Sequence, residues 1–290
     1  MAEEAVIEID NLTKHYGDVV GVQDLSLTVR KGEIMGFLGP NGAGKTTTIR
    51  SCLALVSKTA GTITIFGMDS HRNAVAIRQR TGYLPGDFGL IPSVSTERYL
   101  QYLLSLSDCC SDEKMHSLAD RLELNLDRTT NELSKGNRQK VGIIQALMAD
   151  QDLIIMDEPT SGLDPLMQQE VYRILREEQQ DGKTIFMSSH ILAEAEQVCD
   201  RVAIIRDGRL EVVEEIQALQ EKTGKILEVE FRDPVDLDEF DIEGVTDLHS
   251  EDGKITLTIH ENLDQVVKTV SSHKILNMQL YTYNLEQLFL

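Results

Sequence analysis

One octapeptide, Gly39-Pro40-Asn41-Gly42-Ala43-Gly44-Lys45-Thr46, constrains this chain more than any other feature. It satisfies the pattern GxxxxGK[ST] in full. It stands between a short apolar run, Ile34 to Leu38, and a stretch from Lys45 to Val56 that looks helical. A loop that wraps a polyphosphate must turn its backbone N–H groups inward, which glycine permits because it accepts positive φ and close approach. The helix after the loop presents the positive end of its dipole to the same anion. In such a loop Lys45 reaches the β- and γ-phosphates and the Thr46 hydroxyl ligates Mg2+. The whole run from Gly39 to Thr47 is therefore expected to line a nucleoside triphosphate, with ATP and Mg2+ as the ligands.

A second segment belongs with the first. Leu153-Ile154-Ile155-Met156 reads as a buried strand that delivers two carboxylates, Asp157 and Glu158, at its C-terminal end, where ligands sit in open α/β sheets. Asp157 would hold Mg2+ through water, and Glu158 could polarise the attacking water as general base. Alone, an apolar run ending in Asp-Glu is weak, since strands often end in solvated acids. Downstream of a phosphate loop in an alternating pattern, it is strong.

That pattern runs most of the chain. Leu25, Leu27 and Val29 alternate with Ser26, Thr28 and Arg30, the period of a half-buried strand, and residues 5–38 read as strands throughout. Thr62 to Phe66 is another. From about 93 to 130 the spacing of Leu100, Leu103 and Leu104 is helical, as expected of an insertion in a strand-rich core. Helix 166–180, strand Thr184–Met187, helix 191–199 and strand 202–206 follow, then a turn at Asp207-Gly208. Strands alternating with helices predict a largely parallel sheet with helices on both faces. After about residue 222 the texture changes. Leu227, Val229 and Phe231 alternate with charged residues, and Asp252-Gly253 looks like a hairpin turn leading to Ile255, Leu257 and Ile259. Leu263, Val266, Val267 and Val270 make one helical stripe, Leu276, Met278 and Leu280 a last strand, and Leu285, Leu288 and Phe289 a helical close. The expected domains are 1–222, with a helical subdomain at about 88–150, and a small α+β unit at 223–290.

Composition narrows the partners. With 48 acidic against 28 basic residues, the formal charge of −20 repels phosphate backbones, so nucleic acid is not an expected partner. Cys52, Cys109, Cys110 and Cys199 show no CxxC spacing, so neither a disulfide framework nor a zinc site is suggested, and reduced thiols in a cytosolic protein are the simpler account. The start, MAEEAVIEID, has no apolar signal core, and no run approaches the roughly 20 apolar residues that span a bilayer.

A third motif selects among phosphate-loop proteins. Leu133-Ser134-Lys135-Gly136-Asn137-Arg138-Gln139-Lys140 precedes a helix with Val141, Ile144, Leu147 and Met148 on its apolar face. By itself this is an ordinary helix capped by Ser134. With the other two motifs, over residues 6 to about 215, the chain resembles the ABC ATPase family, whose signature reads LSGGQ. Ser134 and Gly136 match, while Lys135 and Asn137 depart. The resemblance implies a P-loop NTPase core with a helical insertion, and a Ser134–Asn137 loop that binds the γ-phosphate held by a second copy. It implies further that Asp164, in Ser161-Gly162-Leu163-Asp164, lies at that dimer interface. His190 would touch the γ-phosphate and Tyr16 would stack on adenine. Catalysis would then fall to Glu158, His190 and Lys45.

The family's glutamine ahead of the helical insertion is replaced here by Gly86, in Thr81-Gly82-Tyr83-Leu84-Pro85-Gly86-Asp87. Either Asp87 supplies that contact to the metal, or Thr46 and Asp157 suffice with water. Similar Pro-Gly-acid loops, and a C-terminal α+β domain ending like Leu285-Glu286-Gln287-Leu288-Phe289, occur in the branch that drives ABC-2 type exporters. The implied protein is an ATPase on the cytoplasmic face of a membrane, paired with itself and with an integral-membrane permease. A nucleic-acid-working ABC ATPase and a non-hydrolysing ATP switch are the rival readings.

Overall fold

The computed structural model describes residues 4–107, 112–251 and 253–282. Cys109, Cys110, Asp252 of the expected hairpin turn, and the expected helical close at 285–289 lie outside the described residues. The chain divides into two compact units, Met1–Glu214 and Glu215–Leu290. The division falls earlier than residue 222 because a helix over Ile216–Thr223 groups with the second unit.

The first unit begins with two long strands, β1 (Ala5–Tyr16) and β2 (Val19–Arg30), whose alternating apolar residues turn one face to the core. β3 (Ile34–Leu38) is buried at every position. It runs into the phosphate loop and α1 (Lys45–Cys52), followed by β4 (Ala60–Ile65), β5 (Met68–Asp69), α2 (Ala74–Gln79) and β6 (Thr81–Leu84). The helical stretch resolves into α3 (Thr96–Leu104), α4 (Asp112–Arg121), a 3-10 turn at Thr130–Glu132 and α5 (Lys135–Leu147). Then come β7 (Leu153–Asp157), α6 (Pro165–Gln180), β8 (Thr184–Ser189), α7 (Leu192–Val198), β9 (Arg201–Arg206) and β10 (Arg209–Glu215).

Two sheets result, one ordered β2-β1-β4-β5 and antiparallel, the other ordered β10-β9-β3-β8-β7-β6. In the second, the pairs β9-β3, β3-β8, β8-β7 and β7-β6 are parallel. β3, β7 and β8 are buried at every residue, as strands covered on both faces must be. Their order decides where the chemistry sits. β8 lies between β3 and β7, with Leu38 beside Ser189 and Asp157 beside Ser188. The loops leaving β3, β7 and β8 therefore open side by side at the C-terminal edge of the sheet. Among the described residues, no helix is long and apolar enough to cross a membrane.

α1 ends four residues before the expected Val56. Ala54 takes φ 52, Leu55 N–H donates to Arg50 O at 2.8 Å and Ala54 N–H to Ser51 O at 3.1 Å. That is a left-handed helix stop built without the usual glycine, so the sequence carries no sign of it.

The second unit opens with α8 (Ile216–Thr223). β11 (Lys225–Phe231), β12 (Val245–Glu251), β13 (Lys254–Ile259) and β14 (Ile275–Thr282) form a sheet ordered β12-β13-β11-β14, and α9 (Leu263–Ser271) lies between β13 and β14 in the chain. Leu227, Val229, Ile255 and Leu257 pack with Phe240, Val266 and Val270 in its core. β12 escapes periodicity because a register shift between Thr246 and His249 breaks its alternation.

Candidate nucleotide site

The loop after β3 is held in shape by what its glycines lack. A Cβ on Gly39 would stand 2.3 Å from Ile205 O, and one on Gly44 would stand 2.5 Å from Gly21 O. Gly44 also has φ 108, and Gly42 φ 84, so no other residue fits without strain. Within the loop Ala43 N–H donates to Pro40 O at 3.2 Å, Asn41 is exposed at the tip, and Ala43 is buried beneath it. Lys45, only 5% exposed, donates to Gly39 O at 2.6 Å and to Pro40 O at 3.2 Å. The Thr46 hydroxyl donates to Asp157 Oδ2 at 2.7 Å. The edge of the Tyr16 ring and the Thr47 methyl bound the same space beside Gly21, 3.0 and 3.3 Å from where a Cβ would stand. Tyr16 is 46% exposed, with Lys14 Nζ 4.7 Å from its ring centre. An aromatic face is thus open to solvent next to the phosphate loop, as adenine stacking requires.

β7 and β8 bring the catalytic candidates to that loop. Ser188 Oγ donates to Asp157 Oδ1 at 2.5 Å and accepts from Glu158 N–H at 3.1 Å. Glu158 stands at φ 52, a conformation that costs a side-chain-bearing residue on the order of 1–3 kcal/mol and gathers at functional sites. Its Oε1 lies 3.6 Å from Lys45 Nζ and 3.3 Å from His190 Nδ1. Three elements distant in sequence thus converge on one carboxylate oxygen. His190, 44% exposed, follows a pinned residue: Ser189 Oγ donates to Glu194 Oε2 at 2.6 Å, and Thr160 Oγ1 donates to Glu194 Oε1 at 2.8 Å.

Ser134 caps α5, accepting from Asn137 N–H at 3.3 Å. Gly136 lies against the loop after β7, where its Cβ would stand 2.9 Å from Gly162 O, and the stem of Lys135 lies over Gly162. Asp164 caps α6, its Oδ1 accepting from Leu166 and Met167 N–H groups at 3.1 Å. Ser134, Lys135 and Asp164 are exposed, and Gly136 and Asn137 are half-buried.

The ABC transporter family model matches residues 22–161. The Nod factor export ATP-binding protein I of Cupriavidus pinatubonensis is 37% identical over 210 residues, which is 71% of this chain and 65% of that protein. The bacitracin transport ATP-binding protein BcrA of Bacillus licheniformis is 38% identical over 236 residues, 79% of this chain and 76% of that protein. The chain belongs to the ABC transporter ATP-binding family. Its fold agrees, since the dimeric bacterial ABC transporter cassette MJ0796 superposes with a TM-score of 0.67 at 25% identity, covering 72% of this chain and 98% of that one. It is an ATPase cassette with a helical insertion and a small C-terminal α+β unit.

Among the described residues no three His, Cys, Asp or Glu side chains gather into a cage. Thr46 and Asp157 offer hard oxygen ligands on one side only, which suits Mg2+ that arrives with phosphates and keeps most of its waters. Gly86 lies at this point, but the space its Cβ would take is bounded by Asp157 Oδ2 at 3.0 Å and Asp157 Cγ at 3.2 Å. A Cβ there would crowd the carboxylate, which would have to give by a few tenths of an ångström. Asp87 is exposed and, among the described residues, its side chain makes no hydrogen bond or ion pair. The structure groups Thr46, Asp157 and Gly86 and leaves Asp87 aside.

Three cassette residues that support this site were not singled out by sequence reasoning: Ser188, Glu194 and Gln139. Ser188 hides at the end of an apolar strand. Gln139 carried the one available signal, a polar residue beside the apolar face of α5, where it is 7% exposed.

Proposed function

We propose that this cassette is the ATP-hydrolysing subunit of an exporter, of the ABC-2 type, and that it powers a separate integral-membrane permease from the cytoplasmic face of the membrane. The observation that carries the reading is the convergence of Lys45, His190 and Glu158 on one oxygen beside the paired Thr46 and Asp157. Lys45 already spends its protons on loop carbonyls, so a γ-phosphate entering the loop takes over a donor that is in place and buried. Glu158 is aimed across the loop mouth, where it can accept a proton from water attacking the γ-phosphorus. His190 donates toward the same oxygens, neutralising charge that spreads over them in the transition state. Thr46 and Asp157 would hold Mg2+, which would supply neutralisation of charge developing on the phosphates.

Two copies pair head to tail in this scheme, the Ser134–Asn137 loop of each covering the nucleotide in the Gly39–Thr46 loop of the other. A serine hydroxyl, free N–H groups and a helix N-terminus suit that anion. Closure biases the permease only through contacts that differ between open and closed states. A groove of about 820 Å3, lined by Leu53, Val75, Tyr83, Leu103 and Leu106 together with the charged Arg78, Arg80, Asp150 and Asp152, suits an amphipathic helix of the permease. The names of the relatives, which mention Nod factor export and bacitracin transport, support export. The domain from about residue 223 onward is accessory to this cycle.

The test is ATP hydrolysis by the full chain beside Lys45→Ala and Glu158→Gln. Turnover lowered about a hundredfold or more by both changes, to a residual rate that single-turnover measurement still reads, with an ATP-dependent dimer in Glu158→Gln, is the expected result. A wild type that binds ATP without turnover, alone and with its permease, would overturn it.

A further inference from the structure

Glu158 needs holding. It bears a side chain at φ 52 and precedes Pro159. A proline disfavours all but extended backbone in the residue before it, and a positive φ is disfavoured by Cβ. Such a conformation persists only where its surroundings over-determine it. On the N-terminal side the anchor is Ser188, whose Oγ takes the Glu158 N–H at 3.1 Å. On the C-terminal side the carbonyl of Glu158 accepts from Ser161 N–H at 3.2 Å and from Gln139 Nε2 at 3.0 Å. The same nitrogen of Gln139 also donates to Pro159 O at 2.9 Å. Both hydrogens of one amide therefore grip two consecutive carbonyls, and the group is 7% exposed, so water does not compete well for them.

We infer that Gln139 is a positioning residue for the base: by clamping the Glu158 and Pro159 carbonyls it fixes the peptide frame from which the Glu158 carboxylate is aimed at the loop mouth. The geometry gives this grip a second consequence, which rests on the proposed two-copy cycle. Gln139 stands on α5 two residues after Asn137, within the helix's first turns. The segment that would seat on the other copy's nucleotide is rigidly continuous with the residue that aims this copy's own base. Gly136 closes the same seam, since only a residue without Cβ lets α5 approach Gly162 O so nearly. Occupation of one ATP site is thereby linked to alignment of the base in the other.

The clamp makes a prediction that general destabilisation does not. Gln139→Met keeps the length and volume of the side chain and removes the donor. In the full chain, single-turnover hydrolysis should fall about tenfold or more, while KM and ATP affinity stay within about two-fold. On a Glu158→Gln background the same change should cost less than about two-fold, because there is no base left to aim. Hydrogen exchange of the backbone amides between Glu158 and Leu163 should accelerate in Gln139→Met without nucleotide, while the amides of α5 keep their protection. Gln139→Glu, which sets an acceptor-only carboxylate against the two carbonyl oxygens, should behave at least as badly and serves where the methionine variant does not fold. Equal losses on both backgrounds, a raised KM with unchanged turnover, or unchanged exchange would overturn the inference. A wild type without turnover would count against the motor reading alone, since the exchange comparison needs no hydrolysis.

Discussion

Ser188→Ala isolates the bond that fixes the metal-binding carboxylate. Ser188 is fully buried and Asp157 is 1% exposed, so water cannot replace what is lost. The substitution deletes one oxygen, leaving a void too small to matter beside the polar loss. The hydroxyl donates to an ionised acceptor at 2.5 Å, and such charge-assisted bonds contribute about 1.5–3 kcal/mol. The Glu158 N–H loses its acceptor as well, which makes that figure a lower bound. For a unit of this size each kcal/mol moves the melting temperature by roughly 2–4 °C, so calorimetry should register a fall of about 3–12 °C in the transition of the first unit. Thr46→Val is the control. It removes a bond of similar length to the other oxygen of the same carboxylate, but Thr46 is only half-buried, so solvent fills in and the fall should be smaller. Both variants should bind Mg-ATP less tightly than wild type. If Ser188→Ala melts within a degree of wild type, or Thr46→Val is the more damaging, the burial argument is wrong.

Other outcomes follow from the same geometry. Gly86→Gln, which restores the family's residue, should weaken Mg-ATP binding several-fold rather than strengthen it, because its Cβ starts 3.0 Å from Asp157 Oδ2; titration calorimetry with and without Mg2+ decides. Burial pushes the Cys52 thiol up to about 12 and the Cys199 thiol higher than its ordinary value, so neither should react with iodoacetamide in the native protein, and mass mapping of a labelled Cys52 peptide would refute this. Acid should erode stability in a defined window. The hydrogen bond from Lys183 holds Asp150 below its usual 3.8, and that from Arg121 holds Glu177 below its usual 4.5. Depressed carboxylates contribute stability that is present above the unfolded value and lost as pH falls through the folded one. Urea midpoints should therefore be flat near neutrality and drop below about pH 4.5, and a midpoint that rises on acidification would contradict the pairing.

What could be seen in the sequence was whatever physics ties to residue identity. Gly42 and Gly44 stand at positive φ, Gly39 and Gly44 abut backbone oxygens, and Lys45 and Thr46 supply the only chemistry a phosphate loop needs; no other residues do this, so the motif is legible at once. The apolar runs Ile34–Leu38, Leu153–Met156 and Ile185–Met187, alternating with helices, announced a sheet covered on both faces. Other features depend on backbone choices that several residue types can make. Ala54 ends α1 where glycine would be the signal, and the shift inside β12 hides its alternation. Asp164 could be placed on α6 from its position before Pro165, yet the sequence cannot tell a helix cap from an interface residue, because the same carboxylate can serve in both.

Gly86 shows why a departure from a family pattern needs its neighbours before it acquires a meaning. In sequence it looks like a deficit, since glycine can ligate nothing, and Asp87 beside it looks like the replacement. In space the carboxylate of Asp157 leans into the room a longer residue would take, fastened there by Ser188 and Thr46. In the proposed function the substitution and the position of Asp157 belong together: Thr46 and Asp157 would hold the metal without a side chain from residue 86. A loop that does not have to hold the metal is free to change its conformation at little cost to nucleotide binding.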